Sequence, residues 1–411
     1  MPTDDITKLG KDILKILEEF GELELVDVTI EADELVLKMA AGVAALAPPP
    51  AARALAPGVM PTAVPAVKPF QFIEEKFKPP IQEYPGQIVE VQFGQTRKEG
   101  GTRKEIRKIG GERVPPFYRF EYDNPNRPLV TFDVFDMRMN LPKPIKDHFD
   151  EVMDDPAEWA KKAIKEYGAD LVTVHLISTD PYIKDTPAKQ AAKTIEDVLQ
   201  AIDTPLLIGG SGNPDKDPEV LEAAAAAAQN ERLMLNSASE NLDWKRIVEA
   251  AKKYNHNVLS WTQLDVNNQK KMNQLLLDAG LPKDHIVQDA TTAALGYGLQ
   301  YSFSVYERIR MAALKGEKDL QMPLSSGTTN AWGAREAYMS DKKKGAEWGT
   351  INFRGPLWEA ITGLSLALNG CDIFMMLHPA SVQIFKTVVE YLTSKKKDKP
   401  SPLLNWVTTK V

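Results

Sequence analysis

The chain has 411 residues, 43% of them hydrophobic, and a formal net charge of −7. That length holds one large domain plus an appendage, no apolar run approaches the ~20 residues of a membrane helix, and the acidic balance argues against nucleic acid as a partner. The single cysteine, Cys371, excludes an intrachain disulfide and an iron–sulfur cluster held by this chain alone, which needs about four thiolates. With an acidic start that has no apolar leader, it points to a reducing cytoplasm.

Asp4 to Phe20 reads as an amphipathic helix, with Ile6, Leu9, Ile13, Ile16, Leu17 and Phe20 on one face and Gly21 as its stop. Glu22 to Ile30 alternates as a strand, and Leu35-Val-Leu37 can pair back on it. This module, residues 1–39, is too small to bury a core and needs a surface to dock on. Residues 40–68 are Ala/Pro-rich and predict an extended linker. Such a tether suits attachment within a larger assembly.

Residues 69–128 predict a β-hairpin ahead of the main domain. Ile88 to Phe93 alternates, Gly100-Gly101 turns, and Gly110-Gly111 closes. The intervening cluster Arg97, Lys98, Arg103, Lys104, Arg107, Lys108 is read as a solvated hairpin face rather than an anion site.

From Leu129 to the end, residues 129–411, a strand-then-helix unit repeats. Strands are expected at Leu129–Asp136, Leu171–Ser178, Pro205–Gly210, Leu233–Ser239, Val258–Gln263, Ile286–Thr291, Leu320–Ser325 and Asp372–His378. Helices are expected at Pro156–Tyr167, Ala188–Ile202, Pro218–Gln229, Asp243–Tyr254, Asn268–Ala279, Tyr297–Leu314, Leu357–Leu368 and Ser381–Leu392. Asp155-Pro156 and Asp217-Pro218 are helix-opening signals; Gly168 and Gly280 are stops. Evenly spaced units of this kind predict an α/β protein whose sheet closes into a (β/α)8 TIM barrel, with a doubly wound open sheet as the competitor. The insertion from Ser326 to Arg354 then lies on the functional face.

Functional groups in such barrels gather at the carboxyl ends of the strands. Here those ends offer Asp136, Ser178, Gly209-Gly210-Ser211, Asn236, Ser237, Ser239, Thr262, Gln263, Asp289, Thr291, Ser325 and His378. The set is polar, mostly neutral and poor in basic groups. It suits hydrogen bonding to a large neutral ligand edge. The five histidines are scattered, so no metal centre is expected, and His175 and His378 are read as structural. Ile208-Gly-Gly-Ser-Gly-Asn213 can be a phosphate cradle or a tight turn; it lacks the Gly-Lys-Ser/Thr ending of a P-loop. No Asp-x-His-x-x-Gly signature of a corrinoid-binding module occurs, and Asp147-His148 has the wrong spacing.

Five motifs then occur in order: Gly110-Gly-Glu-Arg-Val-Pro-Pro-Phe-Tyr118, Gly210-Ser-Gly-Asn-Pro-Asp-Lys-Asp217, Leu235-Asn-Ser-Ala-Ser239, Ala331-Trp-Gly-Ala-Arg-Glu336 and Arg354-Gly-Pro-Leu-Trp-Glu359. Together they resemble the delta subunit of the acetyl-CoA decarbonylase/synthase complex, which is similar to the small subunit of the corrinoid iron–sulfur protein of acetogens. The resemblance runs from about Ile88 to the carboxyl terminus. It implies a heterodimer with a gamma subunit that holds the corrinoid and the iron–sulfur cluster. The delta barrel covers the corrinoid while a methyl group passes between a tetrahydropterin carrier and the acetyl-CoA synthase site. Ser237, Ser239, Thr262, Gln263 and Thr291 are the expected contacts at the barrel mouth. A wider similarity to pterin-binding barrels sets Asn236 and Asp289 at the places where those enzymes grip a pterin. No acid ends strand three, where those enzymes have one. Cofactor capping is therefore the first expectation and direct action on a methyl-tetrahydropterin the alternative.

Overall fold

The apolar runs pair in sequence order and close on themselves. In the computed structural model, which describes residues 78, 81–118, 124–343 and 345–393, two short strands come first: β1 (Val91–Phe93) and β2 (Arg107–Ile109), paired antiparallel. Eight parallel strands follow: β3 (Leu129–Phe135), β4 (Leu171–His175), β5 (Leu206–Gly209), β6 (Met234–Ala238), β7 (Asn257–Trp261), β8 (Ile286–Asp289), β9 (Leu324–Ser326) and β10 (Cys371–Met376). They form a closed barrel in which β10 pairs with both β3 and β9. The expected docking module at 1–39 and linker at 40–68 lie outside the described residues.

Between the strands run α1 (Lys143–Phe149), α2 (Pro156–Lys165), α3 (Ala188–Ala201), α4 (Asp217–Ala227), α5 (Trp244–Tyr254), α6 (Val266–Asp278) and α7 (Leu299–Leu314), then α8 (Arg335–Tyr338), α9 (Ile351–Leu368) and α10 (Pro379–Thr393). Local chemistry sets their ends. Asp155 accepts hydrogen bonds from the Ala157 and Glu158 amides ahead of Pro156, and Asp265 accepts one from Asn268. Several elements differ from the sequence expectation: α8 is an added turn of helix, and α9 starts at Ile351, six residues before the expected Leu357. The short helix α1 is hidden among Pro142 and Pro144, which fit a first helical turn, and it is held by buried Ile145 and Phe149. β9 starts four residues late: Lys318–Leu320 form a 3-10 turn and Pro323, which has no N–H to give a ladder, precedes the strand.

Strand periodicity of two sorts the side chains into layers. One parity packs outward against the helices, with Val130, Phe132 and Val134 of β3 in that core. The other parity fills the interior. At the amino-terminal end Leu129, Leu171, Leu207, Met234, Leu259, Val287 and Ile373 surround Val91, Phe93 and Ile109 of the hairpin. The hairpin is therefore a plug, and each side chain so buried contributes about 1.5–3 kcal/mol. Asn257 Nδ2 donates to the Gln92 carbonyl (2.8 Å) and the Gly94 amide donates to the Arg232 carbonyl (2.9 Å), fixing the plug to the wall. The basic hairpin face is not all solvated. Arg103 is buried, its Nε 2.7 Å from Glu231 Oε2 and its Nη1 2.6 Å from the Ile202 carbonyl. The next interior layer is Thr131 and Thr173, whose hydroxyls meet at 2.8 Å. The plug closes this end of the barrel interior, and the opposite end opens on a cavity.

Candidate functional site

Two residues further along each strand, the interior parity reaches the mouth. Asp133 and Phe135 of β3, His175 of β4, Asn236 of β6, Trp261 of β7, Asp289 of β8 and Met375 of β10 line a cavity of about 440 Å³. Ser237, Ser239 and Thr291 complete the wall, joined by Thr292 and by Thr329 and Asn330 of the insertion. Of the residues singled out from the sequence, Asn236, Ser237, Ser239, Asp289 and Thr291 thus share one cavity. Asp133, His175, Trp261, Met375 and Thr329 were missed.

Thr262 and Gln263 do not line it. Leu259 and Trp261 face inward, so the next residue faces the helices: Thr262 Oγ1 donates to Gln269 Oε1 of α6 at 2.8 Å, and Gln263 is exposed outside the cavity. Gln269 extends this buried network to Ser260 and Asn273 (2.9 and 3.1 Å). Asp136 is also turned away, taken by the Ser178 amide and hydroxyl. His378 packs on Trp332 and His148 behind the wall, whereas His175, read as structural, opens on the cavity.

The glycine-rich turn after β5 is not an anion cradle. Asp217, from the first turn of α4, accepts from the Ser211 amide and hydroxyl (2.8 Å each) and from the Gly212 amide (2.9 Å). Those donors are spent on a carboxylate of the same chain. Gly210 is required there, since a Cβ would lie 2.4 Å from Asp217 Oδ2. An acid does stand at the end of the third barrel strand, but it is lent by the following helix.

The mouth is more acidic than the sequence suggests: Asp133, Asp217 and Asp289 line it, with neither Lys nor Arg among the described lining residues. Asp289 is 3% exposed and accepts from the Thr291 amide (2.8 Å) and the Tyr306 hydroxyl (3.0 Å). Burial outweighs these bonds and pushes its carboxyl up to about 6. Among the described residues no three His, Cys, Asp or Glu side chains gather to hold a metal ion.

The raised Asp289 value has a testable consequence. A folded-state value above the unfolded one near 4 means that burial costs nothing below pH 4, grows costly between pH 4 and 6, and stays so above. Asp289→Asn keeps an oxygen for Thr291 and Tyr306 but cannot ionise. It should be more stable than the parent by about 1–3 kcal/mol at pH 8, with the gain vanishing near pH 4. Denaturant unfolding at the two pH values measures this; equal differences at both would contradict it.

The insertion owes its place to two of the sequence motifs. Arg354, 3% exposed, donates Nη1 to the Gly349 carbonyl (2.6 Å) and its other nitrogens to the Glu336 and Met339 carbonyls. Gly355 lets Trp332 pack down, since a Cβ would lie 2.4 Å from its ring. The clamped turn (Thr328–Gly333) delivers the Thr329 hydroxyl to Asp133 Oδ2 and Asn330 Nδ2 to the Thr292 carbonyl (3.0 Å).

Residues 90–391 match a family described as the CO dehydrogenase/acetyl-CoA synthase delta subunit. The chain is 54% identical over 342 residues to an acetyl-CoA decarbonylase/synthase complex subunit delta of Archaeoglobus fulgidus, covering 82% of this chain and 76% of that one. It is 53% identical over 363 residues to subunit delta 1 of Methanosarcina thermophila (87% and 83%). It is 47% identical over 403 residues to the delta subunit of Methanothermobacter thermautotrophicus (97% and 96%). Similar solved structures include a dihydropteroate synthase of Xanthomonas albilineans with 4-aminobenzoic acid, at 16% identity, TM-score 0.46, and 66% and 95% coverage. Another is that of Coxiella burnetii with pteroic acid, at 12% identity, TM-score 0.46, and 74% and 99% coverage. Likeness at that level leaves the reading of the mouth to its own residues. The family match spans the plug, all eight strands and the clamped insertion, and the chain belongs to the CO dehydrogenase/acetyl-CoA synthase delta subunit family.

Proposed function

We propose that this chain is the delta subunit of an acetyl-CoA decarbonylase/synthase complex. It pairs with a gamma subunit that holds a corrinoid and an iron–sulfur cluster. The barrel mouth covers the corrinoid while a methyl group moves between a tetrahydropterin carrier and the acetyl-CoA synthase site. The observation that carries this reading is identity of about half the positions, over 82–97% of the chain, to proteins named as that subunit. The rim supports it. Tyr182 (94% exposed), Tyr297 (64%) and Tyr301 (63%) stand on the carboxyl-end side of β4 and β8, where a partner can cover them. The cavity supplies hydrogen-bonding groups in a recess that excludes bulk water once covered.

A second reading makes the barrel act directly on a methyl-tetrahydropterin. Its support is that Asn236 and Asp289, from separate strands, both line the cavity.

Affinity purification of the chain from cells expressing the whole complex should bring down a red, cobalt-containing partner. The chain purified alone should hold neither cobalt nor iron by metal analysis. Stoichiometric cobalt or iron in the lone chain, or a partner without corrinoid, would sink the subunit reading.

A further inference from the structure

The acids of the mouth are not equally engaged. Asp217 spends both oxygens, and Asp289 its Oδ1, on backbone amides and hydroxyls of this chain. Asp133, 2% exposed, gives Oδ2 to the Thr329 hydroxyl, but its Oδ1 is buried with no hydrogen-bond partner. His175 Nε2, also buried, lies 3.0 Å from that oxygen, an ion-pair distance when the ring is protonated, but makes no hydrogen bond. An unpaired buried polar atom costs about 1–3 kcal/mol, and two stand side by side on the wall of an open cavity. His175 is also held in plane. Its ring stacks on Phe135 (5.3 Å between centroids, 24° between planes), and a Cβ at Gly209 would lie 2.6 Å from Nδ1.

The chemistry of the gap limits what fills it. An anion is excluded, because the described lining carries three carboxylates and no Lys or Arg. A purely apolar group would leave both atoms unpaired. An acceptor and an imidazole donor 3 Å apart are matched at once by a neighbouring N–H and C=O on one planar group, which displaces any bridging water. We propose that Asp133 and His175 together bind a neutral amide or lactam edge. Its N–H donates to Asp133 Oδ1, and its carbonyl accepts from His175 in the tautomer with its proton on Nε2. The inference rests on the function proposed above for the source of that edge: a corrinoid presents it in its side-chain amides, and a pterin in its lactam ring.

Calorimetric titration of the full chain with cobinamide and, separately, with a tetrahydropterin tests the site. Asp133→Asn sets an amide nitrogen or an uncharged oxygen before the ligand N–H, and His175→Phe keeps the stacking but removes the donor. Each should weaken one of the two probes about 10–100-fold, the loss expected for a bond to a buried charged or polar partner. Gly209→Ala, which displaces His175 without touching either ligand, should do the same. Gln263→Ala, outside the cavity, should change nothing. Loss with cobinamide assigns the edge to a corrinoid, and loss with the tetrahydropterin assigns it to a pterin; either supports the site. Equal affinities in parent and variants that melt like the parent overturn it, as does a parent that binds neither probe. A chain that still brings down its corrinoid partner while binding neither probe overturns this site alone and leaves the subunit reading standing.

Discussion

Replacing Arg310 by methionine should destabilise the barrel by about 3–5 kcal/mol, the largest loss expected from a single site. Arg310, on α7, is 2% exposed and sits between two acids from different parts of the chain. Its Nη2 is 2.6 Å from Asp372 Oδ2 on β10 and its Nη1 is 3.1 Å from Glu112 Oε2 just beyond the plug. Nη2 also donates to the Gly370 carbonyl, and Asp372 accepts from the Leu324 amide at 2.7 Å. One guanidinium thus joins the plug, a helix and the last two strands where the barrel closes. Burial pushes the Asp372 carboxyl up even with Arg310 beside it. Without the cation two buried carboxylates face each other. The variant's deficit should therefore be largest above neutral pH and shrink as pH falls toward the ordinary carboxylate range, because the folded state then takes up a proton. Adding Asp372→Asn and Glu112→Gln should restore most of the loss, since removing the whole charge set leaves no unpaired ion. Urea unfolding of the parent, the single variant and the triple variant decides this; a lone Arg310→Met as stable as the parent would show that the triad holds nothing together.

The barrel was legible because each unit carries its own signals: an apolar run, a break, an amphipathic stretch, an N-cap acid or a stop glycine. What the runs could not show is which parity faces inward. A parallel strand buried on both sides carries apolar residues on both, as β10 does with Ile373 and Met375 on one side and Phe374 and Met376 on the other, all four buried. Without that, Thr262 looked as available as Trp261, and Asp133 was one polar residue inside an apolar strand. The plug supplies the missing phase. Leu129, Leu171, Leu259 and Val287 meet the hairpin, and counting in twos from them gives Asp133, His175, Trp261 and Asp289. Asp289 was found without it because it ends its strand, and Asn236 because it opens the polar stretch in the second half of β6. The role of Asp217 was hidden for another reason: its side chain folds back on a loop six residues earlier, a contact that no periodicity encodes.

Methyl transfer should separate the two readings of the mouth. Ser239, 4% exposed, lines the cavity beside Asn241. An indole at Ser239→Trp would stand in the recess and push a covering cofactor outward. A misplacement of about 1 Å costs on the order of 10²-fold in rate, so this variant should lose at least that much methyl transfer while still assembling into the complex. Thr262 is unsuited to the same test, since a large side chain there would break its bond to Gln269 and disturb the wall. The contrasting variant joins Asn236→Ala with Asp289→Asn. Asparagine is preferred to alanine at 289 because the Thr291 amide and the Tyr306 hydroxyl keep an acceptor. If the mouth covers a corrinoid, this pair should change tetrahydropterin affinity by less than about tenfold, or 1.4 kcal/mol. Asn236 would then give up only its contact with Met375 Sδ, 3.5 Å away. If instead the pair abolishes methyl transfer together with a saturable pterin site on this chain, the barrel is itself the methyltransferase and the capping reading falls. Stopped-flow transfer rates and pterin titrations on the two variants, run beside the parent complex, give both numbers. The expected result is a slow Ser239→Trp and a pterin affinity that the pair hardly moves.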